Sequence, residues 1–463
     1  MAGERADARP GEVRLPRYRE HAFGILAMFL VWVVARYMQW SARMDIFATT
    51  RFEFTIGLLL TVLCVGLLVS RPLPLGPART LLIAIVLLFA AMLVQLPFAA
   101  DPIMAKNTFV DRVVKFAFQA FFMLVLIQSP RHMRYFLYAF LFACFYVTQE
   151  AVRGLISGGL VWENQGVMRL HGAVPIYTHP NSLAGLAMGA VPFVVFLLPV
   201  WKKWYVRAGL LVLLGTSLTC VLYSGSRTAY VGFVSFALFW WLTSRKKLKW
   251  LMVALAVSAV TLPLVPEQYK GRFRSIGGEK AAEGNSKETR LEILSDAWQI
   301  LLENPGGIGI ASFPVVRMER FGRGQDTHNL YFEVATNLGV QGFVVFVLLM
   351  VGMFRAFHRA RRDYGEQRAR LTRWRRARDL PPRLRAAVRA HDEDLVFLAA
   401  ICRAVTGFVY VRLVLGFFGM DLYEVYWWFA AGLGITLLNL TLRTRAITKR
   451  LEESCREVSA TQV

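Results

Sequence analysis

The sequence predicts an all-α, polytopic helical membrane protein, and three observations carry the prediction. Of its 463 residues, 56% are hydrophobic, above the ~45–50% of a soluble domain. Charged residues make up 18%, below the usual ~25%. Apolar runs long enough to cross ~30 Å of hydrocarbon recur along nearly the whole chain. Together these features exclude disorder, a collagen-like fibre and a small disulfide scaffold.

Twelve spans are expected, at 22–40, 52–70, 80–97, 109–128, 135–152, 176–199, 204–222, 228–243, 249–265, 329–354, 395–417 and 424–441. The first follows a polar arm, and no small-residue cleavage site comes after it, so it reads as a span and not as a signal peptide. Lys and Arg set the orientation. There are 54 of them against 31 Asp and Glu, a net charge of +23. In a soluble chain that excess would point to nucleic acid. With the N-terminus inside, the inner segments hold 34 of these cations and the short outer loops 6. Nine more lie in the long outer loop 266–327, which the positive-inside rule discounts. Five fall within spans: Arg36, Arg112, Lys115, Arg403 and Arg412. Both termini are therefore expected in the cytoplasm. The excess charge is a topology signal, and no nucleic-acid partner is expected. Cys64, Cys144, Cys220 and Cys402 lie in spans and Cys455 in the inner tail, so no disulfide or thiolate metal site is expected outside.

The chain divides into membrane helices 1–9 (1–265), an outer loop (266–328), helices 10–12 (329–441) interrupted by a basic inner loop (355–394), and a cytoplasmic tail (442–463). Pro381 and Pro382 are expected to split the inner loop into two short helical pieces. The loop reads either as a segment on the inner leaflet, held by ~1 kcal/mol per basic side chain, or as a partner's docking site. In the outer loop, Gly271 to Gly284 reads as polar and mobile. Asn285 and Glu288 then open a helix in the manner of a capping box. Leu291, Leu294, Trp298 and Leu301 make one apolar face, and Asn304-Pro305-Gly306-Gly307 ends the helix. This helix is expected to lie on the outer membrane surface.

Cations within a membrane are costly and are functional candidates by default. Arg36, Arg112, Lys115, Arg412 and Arg227 all fall near the outer level. Singly, each reads as a snorkelling side chain. As a set they suit an anionic ligand presented from the bilayer, such as a lipid-linked phosphate or diphosphate. The passage from Asp326 to Gly342 enters the tenth span. Asp326 or Thr327 is expected to cap the helix, placing His328 in its first turn, where the dipole disfavours imidazolium. His328 reads either as an interface cap or as a neutral general base. Asn329, Glu333 and Asn337 form a polar stripe that should face the bundle or a cavity. His179-Pro180-Asn181 opens another span from outside. Pro180 is an ordinary helix opener, and His179 or Asn181 is a candidate for the same cavity. Phosphate-cradling glycine loops, zincin helices, GxSxG and paired cysteine motifs are absent from the sequence. No Asp-x-Asp pair stands in an outer loop, so a divalent metal is not implied.

Three passages, in this order, resemble the O-antigen ligase/polymerase superfamily of bacterial membrane glycosyltransferases. They are Ser224-Gly225-Ser226-Arg227-Thr228-Ala229-Tyr230, the stretch from Arg290 through Trp298 to Pro305-Gly306-Gly307-Ile308-Gly309, and His328-Asn329 with Tyr331-Phe332-Glu333, Gly339 and Gly342. The resemblance covers about 175–345 in motif detail and the rest in topology. It implies transfer of a glycan from undecaprenyl diphosphate to a hydroxyl acceptor, on the periplasmic face of the bacterial inner membrane, with no metal or cofactor. His328 would be the base and Arg227 and Arg290 the diphosphate clamp. Arg112, Lys115, His179, Asn181, Asn329, Tyr331 and Glu333 are further candidates for substrate binding. Attack opposite the diphosphate would invert the anomeric centre. The acceptor is open between lipid A–core (a ligase), a growing glycan end (a polymerase) and a protein hydroxyl. A rival from another class is a polysaccharide or lipid transporter. It would call for inverted repeats and broken midplane helices, neither of which is visible in the sequence.

Overall fold

The computed structural model describes residues 18, 20, 23–70, 72–164, 167–244, 246–249, 251, 252, 255, 266–274, 285–377 and 379–461. Its longer elements, in chain order, begin with α1 (Phe23–Met38), α2 (Phe52–Ser70), α3 (Arg79–Gln95), α4 (Lys115–Leu126) and α5 (Pro130–Ser157). A hairpin of β1 (Val161–Asn164) and β2 (Val167–Leu170) follows. Then come α6 (Pro180–Leu197), α7 (Trp204–Tyr223), α8 (Arg227–Thr243), α9 (Glu267–Arg274), α10 (Asn285–Glu303) and α11 (Phe313–Phe321). The chain closes with α12 (Leu330–Arg376), α13 (Pro382–Leu415) and α14 (Val425–Thr461).

The molecule is an all-α polytopic membrane protein. Among the described residues, 8 helices are long and apolar enough to cross a membrane: α2, α3 with its flanking turns, α5, α6, α7, α12, α13 and α14. Of the other expected spans, 22–40 is the 16-residue α1 and 228–243 is the 17-residue α8. The stretch 109–128 is a π-helical turn, Phe109–Val114, running into α4. The expected span 249–265 lies almost wholly outside the described residues.

Burial sorts the helices by depth in the bundle. The buried residues of α2 are Leu60 and Cys64, while Phe54, Leu58, Val62 and Val65 are exposed, as a lipid-facing helix requires. Helix α6 is buried nearly all round. At the centre, Phe140, Phe193, Phe408 and Phe429 bring α5, α6, α13 and α14 together with ring centroids 4.8–6.0 Å apart, the spacing at which aromatic quadrupoles attract.

The inner loop departs from expectation. Helix α12 continues to Arg376 and α13 starts at Pro382, so 355–394 is a helical hairpin in place of two short surface pieces. Phe357, Ala360, Tyr364, Leu371 and Trp374 are buried along one side, at the three- and four-residue spacing of a helix stripe. Charged groups on its flanks pair within the bundle: Arg370 with Glu452, Asp363 with Arg445 of α14, and Arg368 and Arg375 with Asp392. His391 bonds Thr448 across to α14 at 2.9 Å.

The long outer segment departs in three ways. Gly271 belongs to α9, and the expected mobile stretch beyond 274 lies outside the described residues. Helix α10 starts at Asn285 as expected. However, Ile293, Ala297 and Ile300 bury against Ile308 and Phe313, whereas Leu291 and Trp298, of the expected face, stay exposed. The third departure is a break in α12 at Gly339, with φ 73° and ψ −179°. The interrupted ladder is completed from the Pro305–Gly309 segment: Ile308 N–H donates to Thr336 O at 2.9 Å, Gly309 N–H to Asn337 O at 3.1 Å, and Val340 N–H to Pro305 O at 2.9 Å. A side chain at Gly339 would place Cβ 2.4 Å from the Gly306 carbonyl carbon. Glycine is therefore required here by both conformation and space.

Candidate active site

The Ser224–Tyr230 turn is built from its own side chains. Ser226 caps α8 by accepting the Ala229 N–H at 3.2 Å, and Gly225 takes the left-handed φ of 59°. Tyr230 closes the turn by donating to Leu222 O at 2.7 Å. Arg169, on β2, locks this turn to the start of α6. Its guanidinium donates to Ser224 O at 2.8 Å and to Asn181 Oδ1 at 2.9 Å. Arg227 thereby sits at the first position of α8, half-buried.

On α6, His179 is the helix cap. Its Nδ1 accepts the Asn181 N–H at 3.2 Å. A backbone N–H can only donate, so Nδ1 carries the lone pair, and the neutral ring presents Nε2–H. Burial lowers the His179 pKa, and Arg169 and His328 lower it further.

His328 lies outside the helix, one residue before its cap, whereas the sequence predicts it in the first turn. The cap of α12 is Asn329, whose Oδ1 accepts the Tyr331 and Phe332 N–H groups at 3.0 and 3.2 Å. His328 precedes it in a left-handed conformation, φ 47°. Its ring is accessible yet hemmed in by protein, and this partial desolvation lowers its pKa. Asp326 pulls the other way, and Arg290 and Arg317 push the pKa further down. Asp326 itself is raised by burial, against the Thr327 N–H and His328, which lower it. Arg317 is fully buried, donates to Asp296 at 2.8 Å and to Gln325 Oε1 at 2.6 Å, and so ties α10 and α11 to the strand that carries His328.

These pieces converge on a cavity of about 580 Å³. His179, Asn181, Ser226, Thr228 and His328 line it from the helix starts, and Arg36, Arg112, Gln119, Arg412, Asp421 and Glu424 from the other side. Arg227 and Arg290 are not among its lining residues, although Ser226 and Thr228 on either side of Arg227 are. The two arginines lie close enough for Arg227 to depress Arg290, whose pKa is lowered first by desolvation. Among the described residues, neither has a carboxylate partner. The cavity arginines do: Arg36 lies 3.2 Å from Glu53, Arg112 2.6 Å from Glu424 and Arg412 3.8 Å from Asp421.

Several sequence candidates have partners within the protein. Lys115 pairs with Asp111 at 2.5 Å and does not line the cavity. Tyr331 donates to Leu413 O at 2.7 Å, and Asn329 to Phe417 O at 3.3 Å. Glu333 is buried and accepts the Leu422 N–H at 3.0 Å, anchoring the 416–424 segment. Within the polar stripe, Asn329 and Glu333 meet backbone, while Asn337 meets the Tyr423 side chain. Arg169, Arg317 and Gln119 were not singled out by sequence; their signal was a polar or charged residue amid apolar neighbours, as in Val167-Met168-Arg169-Leu170.

No curated protein matches the chain. Residues 210–347, which hold the Ser224–Tyr230 turn, Arg227, Arg290, the Pro305–Gly309 segment and His328, match the family model described as O-antigen ligase, in agreement with the O-antigen ligase/polymerase superfamily that the motifs resemble.

Proposed function

We propose that the protein is a glycosyltransferase that moves a glycan from undecaprenyl diphosphate to a hydroxyl of lipid A–core, at the periplasmic face of the inner membrane. The observation that carries this reading is that Arg290 lies close enough to act electrostatically on both Arg227 and His328, while His328 lines the cavity. The two arginines, with no carboxylate partner among the described residues, hold the diphosphate through forked, charge-assisted hydrogen bonds. His328 takes the proton of the acceptor hydroxyl. The acceptor oxygen bonds to the anomeric carbon as the bond from that carbon to the diphosphate oxygen breaks, and the electron pair leaves with the diphosphate. The configuration inverts. Charge builds on the leaving group, where the fixed guanidiniums stabilise it. The imidazolium then returns its proton to water.

The same machinery serves a polymerase, with the hydroxyl on a growing glycan, or a protein transferase. The transporter reading gains one observation, the break in α12. The backbone groups freed at Gly339 are bonded by Pro305–Gly309 and so are not available to coordinate a cargo, which favours transfer over transport.

The test is purified protein given lipid-linked glycan with each acceptor in turn. Covalent product with lipid A–core is expected. Product only with a glycan end or a peptide moves the reading to the corresponding relative, and lipid-linked glycan left intact with all three overturns it. Arg227→Ala or Arg290→Ala should abolish transfer while the protein stays folded. Lys at either site should rescue poorly, because the planar fork is lost although the charge remains. Near-normal turnover in both Ala variants would remove them from the clamp.

A further inference from the structure

His328 shares the cavity with a second histidine, His179. A relay of hydrogen bonds orients that ring. Arg169, buried on β2, donates through Nε to Ser224 O at 2.8 Å and through Nη2 to Asn181 Oδ1 at 2.9 Å. The Asn181 N–H in turn donates to His179 Nδ1 at 3.2 Å. Pro180, between the two, fixes φ at the helix start.

The relay decides what the ring can do. Nδ1 is engaged as an acceptor, so the proton of the neutral imidazole sits on Nε2. Desolvation, Arg169 and His328 each lower the His179 pKa, which favours that neutral form. The ring's one lone pair is held by the cap, so His179 is placed as a donor and not as a second base. The side chain is exposed, and its Nε2–H meets no acceptor among the described residues. The surroundings narrow the partner it suits. Of the lining cations, Arg112 lies 2.6 Å from Glu424, Arg412 3.8 Å from Asp421 and Arg36 3.2 Å from Glu53. The lining side chains that follow His179 on α6, Asn181 and Ser182, are neutral. A neutral donor in a cavity whose cations are already matched suits an uncharged oxygen, as sugars present.

We infer that His179 holds the glycan in this cavity by donating Nε2–H to a sugar oxygen. The inference rests on the glycosyl-transfer reading above. The oxygen belongs either to the glycan of the lipid-linked donor or to the core sugar of the acceptor, and the same hydrogen bond serves both.

The test uses the full-length protein in nanodiscs with lipid-linked glycan and lipid A–core, and two substitutions that separate the two ring nitrogens. His179→Asn keeps a side-chain oxygen for the cap but does not reach the place of Nε2. His179→Gln sets an amide N–H near that place and loses the cap. The Asn variant should melt like the wild type yet raise the KM of one substrate about 3–10-fold, the worth of one neutral hydrogen bond. The Gln variant should melt lower and recover most of that loss. A purely capping histidine predicts the reverse order, with the Asn variant fully active. A raised KM for lipid-linked glycan assigns the oxygen to the donor, and a raised KM for lipid A–core assigns it to the acceptor. Binding of undecaprenyl diphosphate without a glycan should be unchanged in the Asn variant. Both KM values at wild-type level in the Asn variant, a folded Gln variant no better than the Asn variant, or weakened binding of the bare diphosphate lipid would each overturn the inference. The Asn variant carries the test alone if the Gln variant does not fold. The glycosyl-transfer reading fails separately, when the wild type itself forms no covalent product from lipid-linked donor.

Discussion

At His328 the backbone takes a left-handed conformation that histidine tolerates better than most residues, and the ring is aimed by the Asn329 cap behind it. Desolvation, Arg290 and Arg317 outweigh Asp326 and hold its pKa below the ordinary 6.5. The group is therefore neutral at neutral pH and charges only on acidification. Transfer should accordingly be flat near neutrality and fall as pH drops through a value below 6.5, which a pH–rate profile reads. A general base contributes about 10²–10⁴-fold, so His328→Ala should lose about that much turnover while still binding donor. His328→Gln separates roles: Gln hydrogen-bonds but cannot serve as the base, so it should be as inactive as Ala. An active Gln variant with an unshifted profile would make the residue a positioning group. Glu333 is the contrasting case. Its carboxylate accepts one backbone N–H, which an amide oxygen also does. Glu333→Gln should retain activity. Glu333→Leu should lose about 1–3 kcal/mol of stability, seen as a lower melting temperature in detergent. An inactive but normally stable Gln variant would make Glu333 a candidate base.

The broken helix is the element on which the site hangs. Residues 330–338 of α12 carry the His328 strand and the buried Glu333, and the rest of α12 runs into the inner bundle. The splice through Pro305–Gly309 fixes one half against the other and ties α10, with Arg290, to the same point. Its glycines are steric requirements: Cβ at Gly307 would lie 2.7 Å from Gly339 N, and at Gly309 2.4 Å from Ala99 Cα. Gly339→Ala should cost at least about 1–3 kcal/mol from the left-handed backbone alone, and the clash adds to it. It should lower both melting temperature and turnover. A fully stable, fully active Gly339→Ala protein would show that the splice does not hold the site. Arg317 acts at the same scale. It is the buried strut between α10, α11 and the His328 strand, and its charge helps keep that imidazole neutral.

For the whole molecule, the positive-inside asymmetry predicts that α11 faces the periplasm and the α12–α13 hairpin the cytoplasm. Glu319 and Arg373 are both exposed and report on the two sides. In a background without native thiols, a membrane-impermeant maleimide should label Glu319→Cys in intact spheroplasts. Arg373→Cys should be labelled only after permeabilisation. The reverse pattern would invert the topology and place the cavity on the cytoplasmic side.

The all-α membrane architecture was legible in the sequence, because the cost of placing polar backbone and charge in hydrocarbon writes itself into composition and run length. So were the glycine-bearing motifs at 224–230, 305–309 and 328–342, although the α12 cap fell at Asn329 and the need for Gly307, Gly309 and Gly339 comes from contacts between distant segments. The tertiary structure alone shows which polar residues are bonded within the protein and which line the cavity. Glu333, Tyr331 and Asn329 read as site residues, yet they bind backbone partners some 80 or 90 residues away. Arg112 and Lys115 both read as substrate-binding candidates at the outer level, yet of the two only Arg112 lines the cavity. The arginines of 355–394 read as a lipid-facing surface, yet several of them pair with acids in α13 and α14. Except for Lys115, which pairs with Asp111 four residues back, the deciding partner is distant along the chain. Periodicity and spacing report a residue's own helix, whereas a charge or hydrogen bond is satisfied by whatever the fold brings across from another.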